Sequence, residues 1–246
     1  MGIHSIKTRA WKSIVRATML TAATSFAAAA ADLSVTDAQA PDLSLKDAPI
    51  SSFSPWFVRA GGAYLGFDSS AKLYLGGSSS AVPGASATAA DNATFVFDVG
   101  YYLTKDISVM FTGGYPPKTS LTANGTAAAL GIAGHVTYGP AALTAQYHFD
   151  LGPIKPYAGG GVAYSIIFGT NDGAIQHLQV DGSFAPVVQG GFEFPVTDRV
   201  SFFADVKKLW LSVDAKGDVP AFGFAPIKAD VTLDPVIVSA GIVYRF

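Results

Sequence analysis

The residues able to do chemistry are few and scattered. Cysteine is absent, which removes thiol nucleophiles, disulfide frameworks and Cys-based zinc sites, and suits a protein that crosses an oxidising compartment. Of the four histidines, His4 lies in the N-terminal segment, His135 and His177 fall between strand-like segments, and only His148 sits on one. No Gly-x-Ser-x-Gly elbow, His-Glu-x-x-His pair or Gly-rich phosphate loop accompanies them. No catalytic residue, cofactor site or metal site is therefore expected. What remains is charge at even spacing: Arg59, Asp98, Glu193, Asp205, Lys207 and Arg245, with Gln146, His148 and Gln189 beside them. Three cations meet three carboxylates, and charges taken out of water must be paired. An internal salt-bridge network is the expected role, with an ion path as the alternative. Acid–base work by Asp98 and Asp205 is the remoter reading, since the three cations already account for them.

The elements that must position these residues are strands. From Trp56 onward the chain alternates with period two, the mark of strands with chemically different faces. In the last segment Val236, Val238, Ala240, Ile242, Tyr244 and Phe246 share one face; Ile237, Ser239, Gly241, Val243 and Arg245 share the other. Phe95, Phe97, Val99 and Tyr101 likewise oppose Val96, Asp98, Gly100 and Tyr102, and Leu143, Ala145, Tyr147 and Phe149 oppose Thr144, Gln146 and His148. The pattern predicts strands near 56–66, 94–103, 106–115, 139–150, 154–168, 184–195, 198–213 and 229–246. These are long enough to cross a bilayer when tilted. Short turns alternate with long connections at 67–93, 116–138, 169–183 and 214–228, the arrangement of an outer-membrane barrel. A soluble lipocalin-like barrel would put charge outside. Here charge shares a face with glycine and serine, Lys208 excepted, while the opposite face is almost wholly apolar and suits lipid. The expected fold is all-β, an eight-stranded antiparallel transmembrane β-barrel of the bacterial outer membrane over residues 55–246.

Composition agrees. Charged residues are 14% and apolar residues 50% of the 246, with 26 Gly, 17 Phe and 10 Tyr. That excludes a disordered chain, and a net charge of −2 offers no basic footprint for nucleic acid. The N-terminus reads as an address: Lys7, Arg9, Lys12 and Arg16 precede a short Ala-rich apolar run. This is a Sec signal peptide over 1–31, cleaved near 28–31. Without its four cations, 12 Lys+Arg face 18 Asp+Glu, a net near −6. Residues 32–54 are acidic and broken by Pro41 and Pro49, a flexible extension with no assigned site.

FVRAG at 57–61, LTAQYHF at 143–149, PYAGGGVAY at 156–164 and TLDPVIVSAGIVYRF at 232–246, with the strand order between them, resemble the OmpW family of outer-membrane proteins. Two positions depart from the family pattern: the proline pair before the fourth strand is reduced to Gly139-Pro140, and Val236 replaces the aromatic after LDP. The resemblance implies an eight-stranded monomeric barrel with a narrow hydrophobic passage for small apolar molecules that leave sideways into the membrane. Some members serve as colicin receptors or respond to stress.

The long connections are unusually apolar, containing among others Leu73, Leu121, Ile132, Ile175, Leu178, Phe222, Phe224 and Ile227. They either pack on one another and on lipopolysaccharide or enclose a hydrophobic vestibule. Leu65, Met110, Ile175, Leu178, Phe203, Phe222 and Phe224 are its expected lining. The function expected is a narrow channel or receptor for small hydrophobic molecules. The alternative is a structural or surface-interaction barrel, acting as adhesin, phage or colicin receptor, or antigen, without transport. Expected partners are outer-membrane lipid and lipopolysaccharide, a small hydrophobic ligand, and the barrel-assembly machinery, met through the C-terminal signature Tyr244 and Phe246.

Overall fold

A computed structural model describes residues 54–246. The expected signal peptide, 1–31, and all but the last residue of the 32–54 extension lie outside them. The strands in chain order are β1 (Trp56–Gly66), β2 (Ser70–Leu75), β3 (Ala85–Ala89), β4 (Asn92–Tyr102), β5 (Ile107–Gly114), β6 (Lys118–Gly125) and β7 (Ile132–His148). They continue with β8 (Lys155–Asp172), β9 (Gln176–Val180), β10 (Phe184–Pro195), β11 (Val200–Leu209), β12 (Ser212–Val219), β13 (Ala225–Thr232) and β14 (Val236–Arg245). Among the described residues the only helical turns are two short 3-10 pieces, Ala128–Leu130 and Pro220–Phe222.

Eight of these strands close a ring in the order β1-β4-β5-β7-β8-β10-β11-β14, every neighbour antiparallel, with β14 pairing back onto β1. At one rim the turns are tight, and two share a construction. Thr104 and Thr197 each accept, through their hydroxyls, the backbone N–H groups two and three residues on, the local side-chain bond that favours a turn over further ladder. Both chain ends of the barrel lie at this rim, where the Ser54 N–H donates to the Phe246 carbonyl at 2.8 Å.

At the other rim the connections are not loops. β7 and β8 run well past the barrel, β3 and β6 add to the β7 edge, and β2-β13-β12-β9 form a separate four-stranded sheet. The expected boundaries at this rim move accordingly: the strands expected over 139–150 and 154–168 run over 132–148 and 155–172. The seventh barrel strand ends at Leu209 and the eighth begins at Val236, because 212–219 and 225–232 pair with each other instead.

Parity places the side chains. Outward positions such as Phe95, Phe97, Phe111, Leu143 and Phe202 are more than half exposed, a band that only lipid covers without cost. Inward positions are buried, as an eight-stranded lumen requires. Inward glycines make room for the largest inward neighbours. The Phe57 ring lies where a Cβ on Gly100 would stand, and the Tyr157 hydroxyl lies 2.6 Å from where one on Gly191 would be.

Candidate functional site

The lumen has a polar floor and an apolar chamber above it. In the floor, Arg59 on β1 reaches across to three other strands: Nη2 lies 2.5 Å from Glu193 Oε1, Nη1 donates to the Tyr157 hydroxyl at 2.9 Å, and Gln146 Oε1 accepts at 3.5 Å. The guanidinium also lies over the rings of Phe57, Tyr157 and Phe203 at 5.1, 4.7 and 5.5 Å, a cation–π setting available to a planar ion. Glu193 accepts from Arg245 through its second oxygen, and Arg245 donates to Ser201 at 2.7 Å. The Tyr157 hydroxyl in turn donates to Asp205 at 2.9 Å, and Asp205 pairs with Lys207 at 2.5 Å. Asp98 stands opposite Arg59 in the register. It has Arg59 and Lys207 as its electrostatic partners and makes no short ion pair.

All six charges named from the sequence thus face the lumen. Five join through hydrogen bonds into one chain, and Asp98 lies beside it. Tyr157 is the member that sequence reasoning missed. It couples the Arg59–Glu193 pair to the Asp205–Lys207 pair, yet an inward tyrosine in PYAGGG reads as packing. Gly191, which stands opposite both Tyr157 and Asp205, leaves the space through which the two meet.

Ser108 Oγ and His148 Nε2 are 2.8 Å apart, the spacing of a nucleophile and its base. Ser108 is wholly buried.

The chamber lies toward the long-connection rim and is narrow: the centre of a water-sized sphere has about 50 Å³ to move in. Leu65, Leu209 and Ile237 form its base; Leu211, Val213, Ala215 and Val231 come from the outer sheet and the approach to it; Val136, Tyr138, Pro140 and Ile167 come from β7 and β8. Thr119, one of its few polar members, spends its hydroxyl on the Ala90 carbonyl at 2.8 Å.

The structure redistributes the expected lining. Leu65 is in the chamber wall. Ile175 and Leu178 are buried one layer behind, where they cover Gly217 and Gly134. Met110 and Phe203 face inward but pack with Phe57 and Val243 at the level of the polar floor, because strand stagger sets them lower than parity suggests. Phe222 and Phe224 are 60% and 56% exposed at the β12–β13 tip and are not in the chamber wall. Their places are taken by Leu211, Val213, Ala215 and Val231, whose alternation is visible in LSVDA and ADV.

The chamber wall has a seam. β5 pairs with β7 from Ile107↔Tyr147 to Thr112↔Ala142, and β6 resumes at Lys118↔Thr137. Between them Gly113–Pro117 faces Tyr138–Ala141, bridged by the Tyr138 N–H donating to the Pro117 carbonyl at 3.2 Å. Pro116, Pro117 and Pro140 have no N–H to give, so the ladder cannot close there.

Residues 55–246 match the OmpW family. The chain is 38% identical over 194 residues to the dibenzothiophene metabolism operon protein PahQ of Pseudomonas aeruginosa, covering 78% of this chain and 89% of that one. It is 30% identical to the outer membrane protein AlkL of Ectopseudomonas oleovorans, over 71% and 74% of the two chains. The crystal structure of the outer membrane protein OprG from Pseudomonas aeruginosa superposes with a TM-score of 0.73 at 22% identity, over 79% of this chain and 97% of that one.

Proposed function

Because the chain belongs to the OmpW family and folds as an outer-membrane barrel, we propose that it takes small apolar molecules into the chamber and releases them sideways into the membrane. The observation that carries this reading is an apolar chamber seated on a closed polar floor, with its wall unpaired at one seam. A neutral solute gains by leaving water for the chamber. It meets a layer of buried ion pairs below, which it cannot enter without separating charges, and a hydrogen-bond gap at its side. The name of one relative, from a dibenzothiophene metabolism operon, is consistent with a hydrophobic cargo. Sec-dependent export with cleavage near 28–31, lipopolysaccharide around the outer sheet, and recognition of Tyr244 and Phe246 by the barrel-assembly machinery belong to the same proposal.

The test is influx of N-phenyl-1-naphthylamine into lipopolysaccharide-faced vesicles carrying the refolded chain. Val213→Asp and Leu65→Asp place a charge in the chamber wall and should abolish the acceleration while the band still shifts on boiling. Unchanged influx in both would refute the chamber.

A second reading, a surface receptor without transport, is favoured by the β12–β13 tip. Phe222 and Phe224 are displayed to solvent, and Phe224 is held at φ 60, an uncommon backbone state for a bulky residue. Removing 220–224 would then abolish partner binding and leave influx untouched.

A further inference from the structure

The seam is covered from the lipid side by one side chain. By parity Gly139 faces outward, like Ala141 and the exposed Leu143, yet it is buried. A Cβ built on it would stand 3.1 Å from Phe168 Cε2 and 3.9 Å from Pro116 Cα, so the Phe168 ring and Pro116 meet over this one residue. Phe168 reaches there through a bulge. Thr137 pairs with Gly169 and Tyr138 with Ile167, which leaves Phe168 the extra residue in the ladder, and a bulge re-aims the side chain it carries. The ring is itself 58% exposed. Its chain neighbour Ile167 lines the chamber, so one strand segment contributes both to the inner wall and to the outer cover.

We infer that Phe168 determines the width of the sideways exit, and hence the size of apolar solute that passes from chamber to lipid. This rests on the reading of the chamber as a passage and adds a specificity-determining residue to it. A ring held by one glycine face and one proline, and free on its lipid side, swings at little cost for a narrow solute and must leave altogether for a broad one. A side chain at 139 would push the Phe168 ring outward by a few tenths of an ångström, since a Cβ there stands 3.1 Å from it.

The experiment compares naphthalene and pyrene, two and four fused rings, as probes of transfer into lipopolysaccharide-faced vesicles carrying the full refolded chain. Phe168→Ala should raise pyrene transfer by about tenfold, the scale on which a few methylene-sized contacts discriminate, and leave naphthalene nearly unchanged. Since the chain lacks cysteine, Pro116→Cys with Gly139→Cys gives an unambiguous bolt across the seam. Oxidised, it should bring both probes down to the rate of protein-free vesicles, and reduction should restore them. If wild type accelerates naphthalene but Phe168→Ala leaves the ratio of the two probes unchanged, the role of Phe168 is overturned and the passage stands. If transfer survives the oxidised bolt, the seam is not the exit and the inference falls with it. If wild type accelerates neither probe, the passage and the inference fail together.

Discussion

Glu193 is the residue on which the polar floor turns, because it alone accepts from both Arg59 and Arg245. Removing its charge leaves two guanidinium groups short of a counter-ion in a closed lumen. Glu193→Gln should therefore lower stability by about 3–5 kcal/mol, read as a shifted urea midpoint in detergent micelles. Gly100 makes the complementary point about volume. Gly100→Ala puts a methyl group into the Phe57 ring and should cost about 1–3 kcal/mol by the same measurement. Outside the membrane, Asp172 accepts the backbone N–H groups of His177 and Leu178, each at 3.0 Å. These bonds hold its carboxyl below the ordinary value of 3.8. A depressed carboxylate stabilises its surroundings above the unfolded value and loses that effect as pH falls through the folded one. The protection factor at the Leu178 amide, its exchange relative to the intrinsic rate at each pH, should thus be full above about pH 4, fall as pH drops below it, and lose this pH dependence in Asp172→Asn.

Among the elements, the junction between β13 and β14 shows what the LDP tripeptide does. Asp234, at φ 37, accepts the Leu211 N–H through its carboxylate at 3.0 Å and the Lys208 ammonium through its carbonyl at 2.5 Å. It pins the end of the seventh barrel strand to the start of the eighth where the chain turns from the outer sheet into the wall. This also accounts for Lys208, a cation on a lipid-facing position, which bends back to the backbone. Asp234→Ala leaves the Leu211 N–H without its acceptor and should cost about 1–3 kcal/mol. Asp234→Asn, which keeps an acceptor, should recover part of it in the same unfolding assay. The alternation made the eight barrel strands legible because a two-faced strand must show period two. The outer strands were less legible, because 212–219 and 225–232 continue the alternation of their neighbours and nothing local says where pairing changes partner.

For the whole molecule, the arrangement of a plugged floor under an open apolar chamber decides direction. In the proposed reading a solute entering from the long-connection rim meets the buried ion pairs of the floor, so conductance and apolar influx should separate. Planar-bilayer recordings of the refolded chain should show little steady ion current under conditions in which vesicles take up N-phenyl-1-naphthylamine. Sustained conductance instead would favour an ion path along Arg59, Asp98 and Lys207.

The sequence by itself determined which face each strand residue presents, because successive side chains on a strand point opposite ways whatever the strand pairs with. From that parity came the barrel, its lipid-facing aromatics and the inward set of six charges. Height was decided only by the tertiary structure. Met110 and Leu65 share an inward face, yet one lies at the polar floor and the other in the chamber wall. Strand stagger is a property of the closed sheet and of no single segment. The same holds for the chamber lining and for the seam, where the failure of Gly113–Pro117 to pair matters only because Tyr138–Ala141 has been brought opposite it.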